Sequence, residues 1–263
     1  MKKTRLDALL VERGLIQGRE LAKSVVMAGD VFVNGRRSDK PGAQMNGDEE
    51  IEVRGGERKY VSRGGYKLER ALDFFAVDPA NRVCLDAGAS TGGFTDCLLQ
   101  RGARLVYAVD VGYGQLAWSL RSDPRVVSLE RVNARGITPD MFAETPTLAV
   151  VDVSFISLAL VLPAVGAAIA ADAEAICLIK PQFEAGRDKV GKRGVVREPE
   201  THLEVLTAFL KNARSSGFAV LGVTHSPIRG PEGNIEFLGY LAKTGDGAPI
   251  DVAAVVNEAH AAL

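Results

Sequence analysis

Lys180 closes an otherwise apolar run, EAICLIK, where an ammonium is costly to bury without a partner. Asp152 closes a second run, LAVVDV, and Glu236 stands in a third, IEFLGYLA. Lys67 lies upstream of all three, in SRGGYKLERAL. Two lysines and two carboxylates brought together could draw a proton from a weak nucleophile and hold the charge that develops, which is general acid–base chemistry. A buried Lys180–Asp152 ion pair with no further role is the plainer alternative. The C-terminal ends of strands weigh against it, because open α/β sheets bind their ligands there.

A second group of residues could hold a nucleotide-like cofactor. DAGASTGGF, Asp86 to Phe94, follows an apolar run and leads into a helical pattern. Counted from Gly88, a dinucleotide fingerprint needs glycine at the third position, where this chain has Ser90, and there is no G-K-[ST] of a P-loop. S-adenosylmethionine has no phosphates and suits this looser loop, in which Gly88, Ser90, Thr91, Gly92 and Gly93 form the turn. Asp86 could attract its ammonium, and N–H groups near Gly92 its carboxylate. Asp110, about 20 residues on at the next strand end, is placed for the ribose hydroxyls. Asn133, beyond the third strand, is placed for the adenine edge. Both could instead be turn formers.

The elements that must carry these groups are legible as alternation of strand and helix. Strands are expected at 82–87, 104–110, 126–130, 148–153, 174–180, 218–225 and 235–242, and helices near 66–75, 92–101, 114–121, 157–171 and 198–215. Continuous apolar strands separated by helices imply a parallel sheet covered on both faces. The last two strands, joined only by SPIRGPEGN, should pair antiparallel.

Residues 1–57 read as a separate small α+β module. Leu6, Leu9, Leu10 and Leu15 follow helical spacing, and a second helix over 19–28 turns Leu21, Val25 and Val26 inward with Gly29 as its cap. VFVNG enters an Asn-Gly hairpin turn, and EEIEV returns. Residues 58–64 form a linker to a domain spanning 65–263.

The charge is uneven. Residues 1–45 hold nine Lys or Arg against five acids, residues 58–70 five against one, and GRDKVGKRG at 186–194 four more, in a chain of net charge −1. Such clusters form a localised footprint for a polyanion. Arg5, Arg19, Lys23, Arg36, Arg37, Arg63, Arg187, Lys189, Lys192 and Arg193 are its candidate contacts.

Composition excludes other classes. At 263 residues, 46% hydrophobic and 25% charged, the chain is neither disordered nor disulfide-stapled. Its longest apolar run, Leu158 to Ala171, spans 14 residues and reads as a buried core helix rather than a membrane span. No targeting segment is visible, so a cytoplasmic location is expected. Three separated cysteines and three separated histidines offer no metal-ligand spacing, and Cys84 and Cys177 read as buried, inert thiols.

Several stretches together resemble known families. The module, with Arg19, Ala22, Gly29, Val31, Val33, Asn34 and Gly35, resembles an S4-type RNA-binding domain. The order Lys67, Asp152, Lys180, Glu236 resembles the K-D-K-E tetrad of FtsJ-type RNA ribose 2′-O-methyltransferases. With VSRGGYKLERAL, CLDAGASTGGFT, VDVGYGQLAWSLR, VDVSFISL, KPQFE and GNIEF, nearly the whole chain is similar to the TlyA, or hemolysin A, family.

The resemblance implies a Rossmann-like class I methyltransferase sheet, parallel with one antiparallel strand, behind the S4-like domain. It also implies S-adenosylmethionine as cofactor and a cytidine ribose of 16S or 23S rRNA, within ribosomal subunits, as substrate. Asp152 would hold Lys180, and Glu236 would orient Lys67. The linker RKYV keeps an aromatic, Tyr60, where the family usually carries Trp, and the MKKTR start resembles the members that modify both rRNAs.

The main rival is a catalytically silent S4/Rossmann protein that binds RNA on ribosomes, against which the intact tetrad argues. A membrane-lytic protein lacks its amphipathic or spanning segment. An NAD enzyme is disfavoured by Ser90. Base methylation would favour a catalytic cysteine or an N-P-P-Y-type loop where this chain has PQFE after Lys180.

Overall fold

In the main sheet, side chains alternate in period two between two packed faces, because both sides of each strand are covered. A computed structural model describes residues 3–16, 18–27, 29–54, 59–191 and 194–263. Seven strands, β6 (Val83–Ala87), β7 (Leu105–Asp110), β8 (Val126–Glu130), β9 (Leu148–Val151), β10 (Glu174–Ile179), β11 (Ala219–His225) and β12 (Phe237–Ala242), line up as β11-β12-β10-β9-β6-β7-β8. Adjacent strands from β10 through β9, β6 and β7 to β8 are parallel, and β12 is antiparallel to both its neighbours. Leu85, Tyr107, Val109, Ala149, Val151 and Cys177 point into the face covered by α6 (Leu162–Ala168), α8 (Pro199–Ser215) and α9 (Val252–Ala262). Cys84, Val106, Leu148, Val150 and Ile176 point into the other, covered by α3 (Gly64–Phe75), α4 (Gly93–Gln100) and α5 (Trp118–Arg121).

The N-terminal part has its own apolar cluster, built on Leu6, Leu9, Leu10, Ile16, Ala22, Val26 and Val31. Its helices are α1 (Leu6–Glu12) and α2 (Arg19–Met27). β2 (Val31–Val33) pairs antiparallel with β3 (Arg36–Ser38) and β5 (Ile51–Val53), and β1 (Thr4–Arg5) with β4 (Gln44–Met45). Asn34 and Gly35 both take positive φ (50° and 74°), the geometry of the expected hairpin turn.

Several expectations are corrected. Leu15 and Leu21 are exposed, at 43% and 53%. Gly14 ends the first helix ahead of Leu15, so Ile16 is buried instead, and on α2 the inward positions fall to Ala22 and Val26. The second helix is described over Arg19–Met27, and Ala28, the last residue expected in it, lies outside the described residues. The run from Leu158 is a one-turn 3-10 helix followed by α6, broken where Pro163 enters α6's first turn. The 114–121 helix shrinks to the single turn of α5. α9 and the one-turn α7 (Pro181–Glu184) were not anticipated, although Val252, Val255, Val256 and Ala259 of α9 carry the helical spacing.

Tyr60 of the expected linker is 1% exposed and packs edge-on to Tyr66 at 5.3 Å. Its ring lies on Gly65, where a Cβ would fall 2.3 Å from Tyr60 Cγ. Gly65→Ala must displace this ring from the core. We expect a loss of about 2 kcal/mol, a fall of roughly 4–8 °C in a thermal melt.

Candidate active site

β6, β7, β9 and β10 run in one direction, so the residues just past their ends gather on one edge. Asp152 follows β9, its N–H donating to the Ala87 carbonyl at 2.9 Å. Lys180 follows β10 as the first residue before α7, where Pro181 opens the helix. β12 runs the opposite way with Phe237 paired to Ile179, so Glu236, one residue before β12, stands at this same edge. Lys67 arrives from the start of α3, whose first turn abuts that of α4. A Cβ on Gly93 would sit 2.2 Å from Ser62 Oγ and 3.0 Å from the Gly65 nitrogen, so only glycine permits the contact.

The four side chains form two ion pairs. Lys67 Nζ lies 2.5 Å from Glu236 Oε2, with both side chains almost fully buried. Lys180 Nζ lies 2.5 Å from Asp152 Oδ1 in a more open position and donates to Ser154 Oγ at 2.9 Å. Glu236 Oε1 is buried with no hydrogen-bond partner among the described residues, packed against Gly230. An acceptor oxygen left free beside a bound lysine is a place for a substrate hydroxyl to donate.

Two cavities meet here. One, of about 650 Å³, is lined by Lys67, Glu236, Lys180 and Asp152. The other, of about 720 Å³, is lined by Asp110, Asn133 and Asp152 together with apolar Val111, Val132 and Leu160. Gly88, Ser90, Asp152, Ser154, Phe155 and Phe183 border both, so contents of the two cavities would touch at Asp152. Ser154, Phe155 and Phe183 were not singled out in the sequence. Only the turn after β9 and the single turn of α7 bring the two rings to 5.0 Å.

The second cavity fits S-adenosylmethionine in size and chemistry. Asp110 accepts from the N–H groups of Ser90 (2.8 Å) and Gly112 (2.6 Å), which fixes the Gly-rich turn and the carboxylate together. Asn133 accepts from Arg135 N–H at 3.0 Å, and its side-chain amide stays on the cavity wall. Gly88, at φ 93°, passes so close that a Cβ would lie 2.4 Å from the Asp152 carbonyl oxygen. Thr91 and Gly93 line the first cavity rather than the second. Gly92 lines neither and instead makes room for Leu120 of α5.

Asp86 is placed less directly than expected. It is wholly buried beneath the turn, reaches neither cavity wall, and accepts from Thr95 Oγ1 at 2.6 Å. Its Oδ1 has no hydrogen-bond partner among the described residues, and burial pushes its carboxyl up to about 7, with Asp152 and Asp110 adding to the rise and the Thr95 hydrogen bonds opposing it.

The basic candidates divide. Arg5 binds Asp7 through two bonds (3.0 and 2.7 Å), Arg19 lies 3.8 Å from Asp7, and Lys189 pairs with Glu204. Lys23 is half-buried on α2, and Arg36 is exposed on β3. Arg37 and Arg63 both line the 650 Å³ cavity. Arg187 opens a one-turn 3-10 helix, while Lys192, Arg193 and the linker's Arg58 lie outside the described residues.

Burial pushes the Cys84 and Cys97 thiols up to about 12 and raises that of Cys177 as well, which leaves none as a nucleophile. His202 and His260, far apart in sequence, meet at 2.9 Å between α8 and α9. Burial, with a smaller contribution from His260, lowers His202 to about 4. Among the described residues no cluster could hold a metal, and no helix is long and apolar enough to cross a membrane.

Residues 60–243 match the FtsJ-like methyltransferase family. The chain is 49% identical to YqxC of Bacillus subtilis over 269 residues, covering 100% of this chain and 96% of that protein. It is 48% identical over 248 residues to the 16S/23S rRNA (cytidine-2′-O)-methyltransferase TlyA of Mycobacterium tuberculosis, covering 94% of this chain and 92% of that one. A solved structure from Streptococcus thermophilus, described as a hemolysin, superposes with a TM-score of 0.78 at 47% identity, over 100% of this chain and 97% of that chain.

Proposed function

Since the chain belongs to the TlyA family of FtsJ-like methyltransferases, we propose that its two cavities work as one site for methylating the ribose 2′-hydroxyl of cytidine in rRNA. The cofactor is S-adenosylmethionine, which supplies an electrophilic methyl on a sulfonium. The observation that carries this reading is the meeting of the two cavities at Asp152, with both lysines on the acceptor side. A ribose hydroxyl is a poor nucleophile until its proton is drawn away. Lys180, held by Asp152 and Ser154, stabilises the alkoxide as its ammonium, or takes the hydroxyl proton once it has passed one of its own to solvent. Glu236 accepts from the hydroxyl through its free oxygen while Lys67 keeps the carboxylate in place. Holding the oxygen in line with the methyl lowers the barrier further.

Residues 1–57 serve in this reading as the RNA-gripping domain, joined by 58–64 to the methyl-transferring domain of 65–263. Their separate apolar cluster supports the division. The substrates are ribosomal subunits, and similarity to a relative named for both 16S and 23S rRNA favours action on both. The test is transfer of labelled methyl to purified 30S subunits, 50S subunits and naked rRNA, followed by nucleoside analysis. 2′-O-methylcytidine is expected. Cofactor binding without transfer to any of these substrates would establish a silent RNA-binding protein instead.

Asp86 gives the cofactor site a pH dependence. Its carboxyl is protonated below about 7 and ionised above. A cofactor ammonium held above the turn that covers Asp86 favours the ionised form through space, without contact, so affinity should rise with pH through about 7 and then level off, and Asp86→Asn should flatten the profile. Stability runs the other way. The folded pKa is raised above that of the unfolded chain, so the stabilisation is complete below the ordinary Asp pKa and is lost as pH rises through about 7. Asp86→Asn should therefore raise the melting temperature more at pH 8 than at pH 5.

A further inference from the structure

Arg37 and Arg63 reach one cleft from different parts of the chain. Arg37 is the middle residue of β3, opposite Phe32 in the hairpin, and its guanidinium lies across Gly29, where a Cβ would fall 1.9 Å from Nη2. Its Nε is buried and has no hydrogen-bond partner among the described residues. Arg63 immediately precedes α3, one turn before Lys67. Both line the cavity that holds Lys67, Glu236, Lys180 and Asp152. Three other arginines of the N-terminal part pair with carboxylates, Arg5 and Arg19 with Asp7 and Arg54 with Glu52, while Arg13 donates to the backbone carbonyls of Gly47 and Glu49 and Arg36 is exposed on β3. No ion pair joins Arg37 or Arg63 to a carboxylate among the described residues, although Asp39 and Glu232 also line the cavity.

Two guanidinium groups thus line one cleft with no direct ion pair to a carboxylate among the described residues. Burial lowers the pKa of Arg63, the charge of Arg37 lowers it further, and Glu236 acts the other way. Like charges folded together in a half-buried cleft oppose one another in the free protein, and an anion placed between them removes the conflict. The planar forks of two arginines match the oxygens of a phosphodiester. We propose that Arg37 and Arg63 clamp one phosphodiester of the substrate strand, next to the ribose presented to Lys180. The N-terminal part of the chain would thereby set the register of the reacting hydroxyl. This deepens the ribose-methylation reading and rests on it. Both residues are positioning groups, and the other basic residues grip the RNA farther out.

The test uses the full chain with Arg37→Ala, Arg63→Ala, the double variant and Arg37→Lys, on the rRNA that the unaltered protein methylates. Each Ala variant should lose about 30-fold in kcat/KM, the worth of a charge-assisted phosphate contact. Because a single phosphate is shared, the double variant should lose scarcely more than the worse single. The slope of log affinity against log salt should fall by about 0.9 in either single variant and by the same amount in the double, since one phosphate is released. Arg37→Lys should keep the slope but not the rate. Melting temperature should stay level or rise, and cofactor affinity should not change. Multiplied losses, a doubled change of slope, or lowered melting temperatures would overturn the clamp. Unaltered rates in all variants would overturn it as well and leave the methyltransferase reading standing. Absence of methylation by the unaltered protein would overturn both.

Discussion

Lys180→Ala should abolish methyl transfer, lowering the single-turnover rate by at least about 10³-fold while cofactor affinity stays within about threefold. The size follows from the position. Lys180 is the cation nearest Asp152, where the two cavities meet, and among the described residues its polar partners are Asp152 and Ser154. Removing it takes away the cation at Asp152 that stabilises the charge growing on the acceptor oxygen, while Glu236 and Lys67 remain paired with each other. The residues that line the cofactor cavity alone, Asp110 and Asn133 among them, keep their contacts. Asp152 loses its partner but is partly open to solvent, so the fold should persist. Rapid-quench transfer assays and cofactor titration would separate the outcomes. A large loss of cofactor affinity would make Lys180 a prop of that cavity, and retention of rate would remove it from the chemistry.

Glu236→Leu alone should cost about 3–5 kcal/mol of stability, because it leaves the Lys67 ammonium buried and unpaired. Combining it with Lys67→Met should recover most of that loss, since a buried ion pair replaced by apolar groups of similar volume is often neutral. Methyl transfer should stay lost in the double variant, by about 10²-fold or more. The contrast between recovered melting temperature and unrecovered rate distinguishes a pair retained for chemistry from one retained for folding. An active, stable double variant would show that Lys67 and Glu236 only hold α3 against β12.

The seven strands could be read from the chain because each is an apolar run buried on two faces, and burial of that kind needs no knowledge of the neighbours. The glycine-rich turn was legible for a similar reason. Positive φ at Gly88 and Gly92, and the close approaches at Gly88 and Gly93, demand glycine whatever surrounds them. Leu15 and Leu21 misled because helical spacing says which residues share a face but not where the helix stops or which face is covered. Asp86 was expected in view of the ligand and lies beneath the turn, since the last residues of a central strand are covered by the loop that follows them.

The types of the four charged residues and their strand-end positions were determined by local sequence, and with them the general chemistry. Their pairing was not. Lys67 and Glu236 are 169 residues apart, and they meet because β12 is antiparallel to β10 and α3 packs at the sheet's edge. The choice of Arg37 and Arg63 from ten basic candidates likewise belongs to the tertiary structure. Charge along a chain shows how much cation is present, whereas only packing decides which cations have carboxylates beside them and which are left facing the cleft.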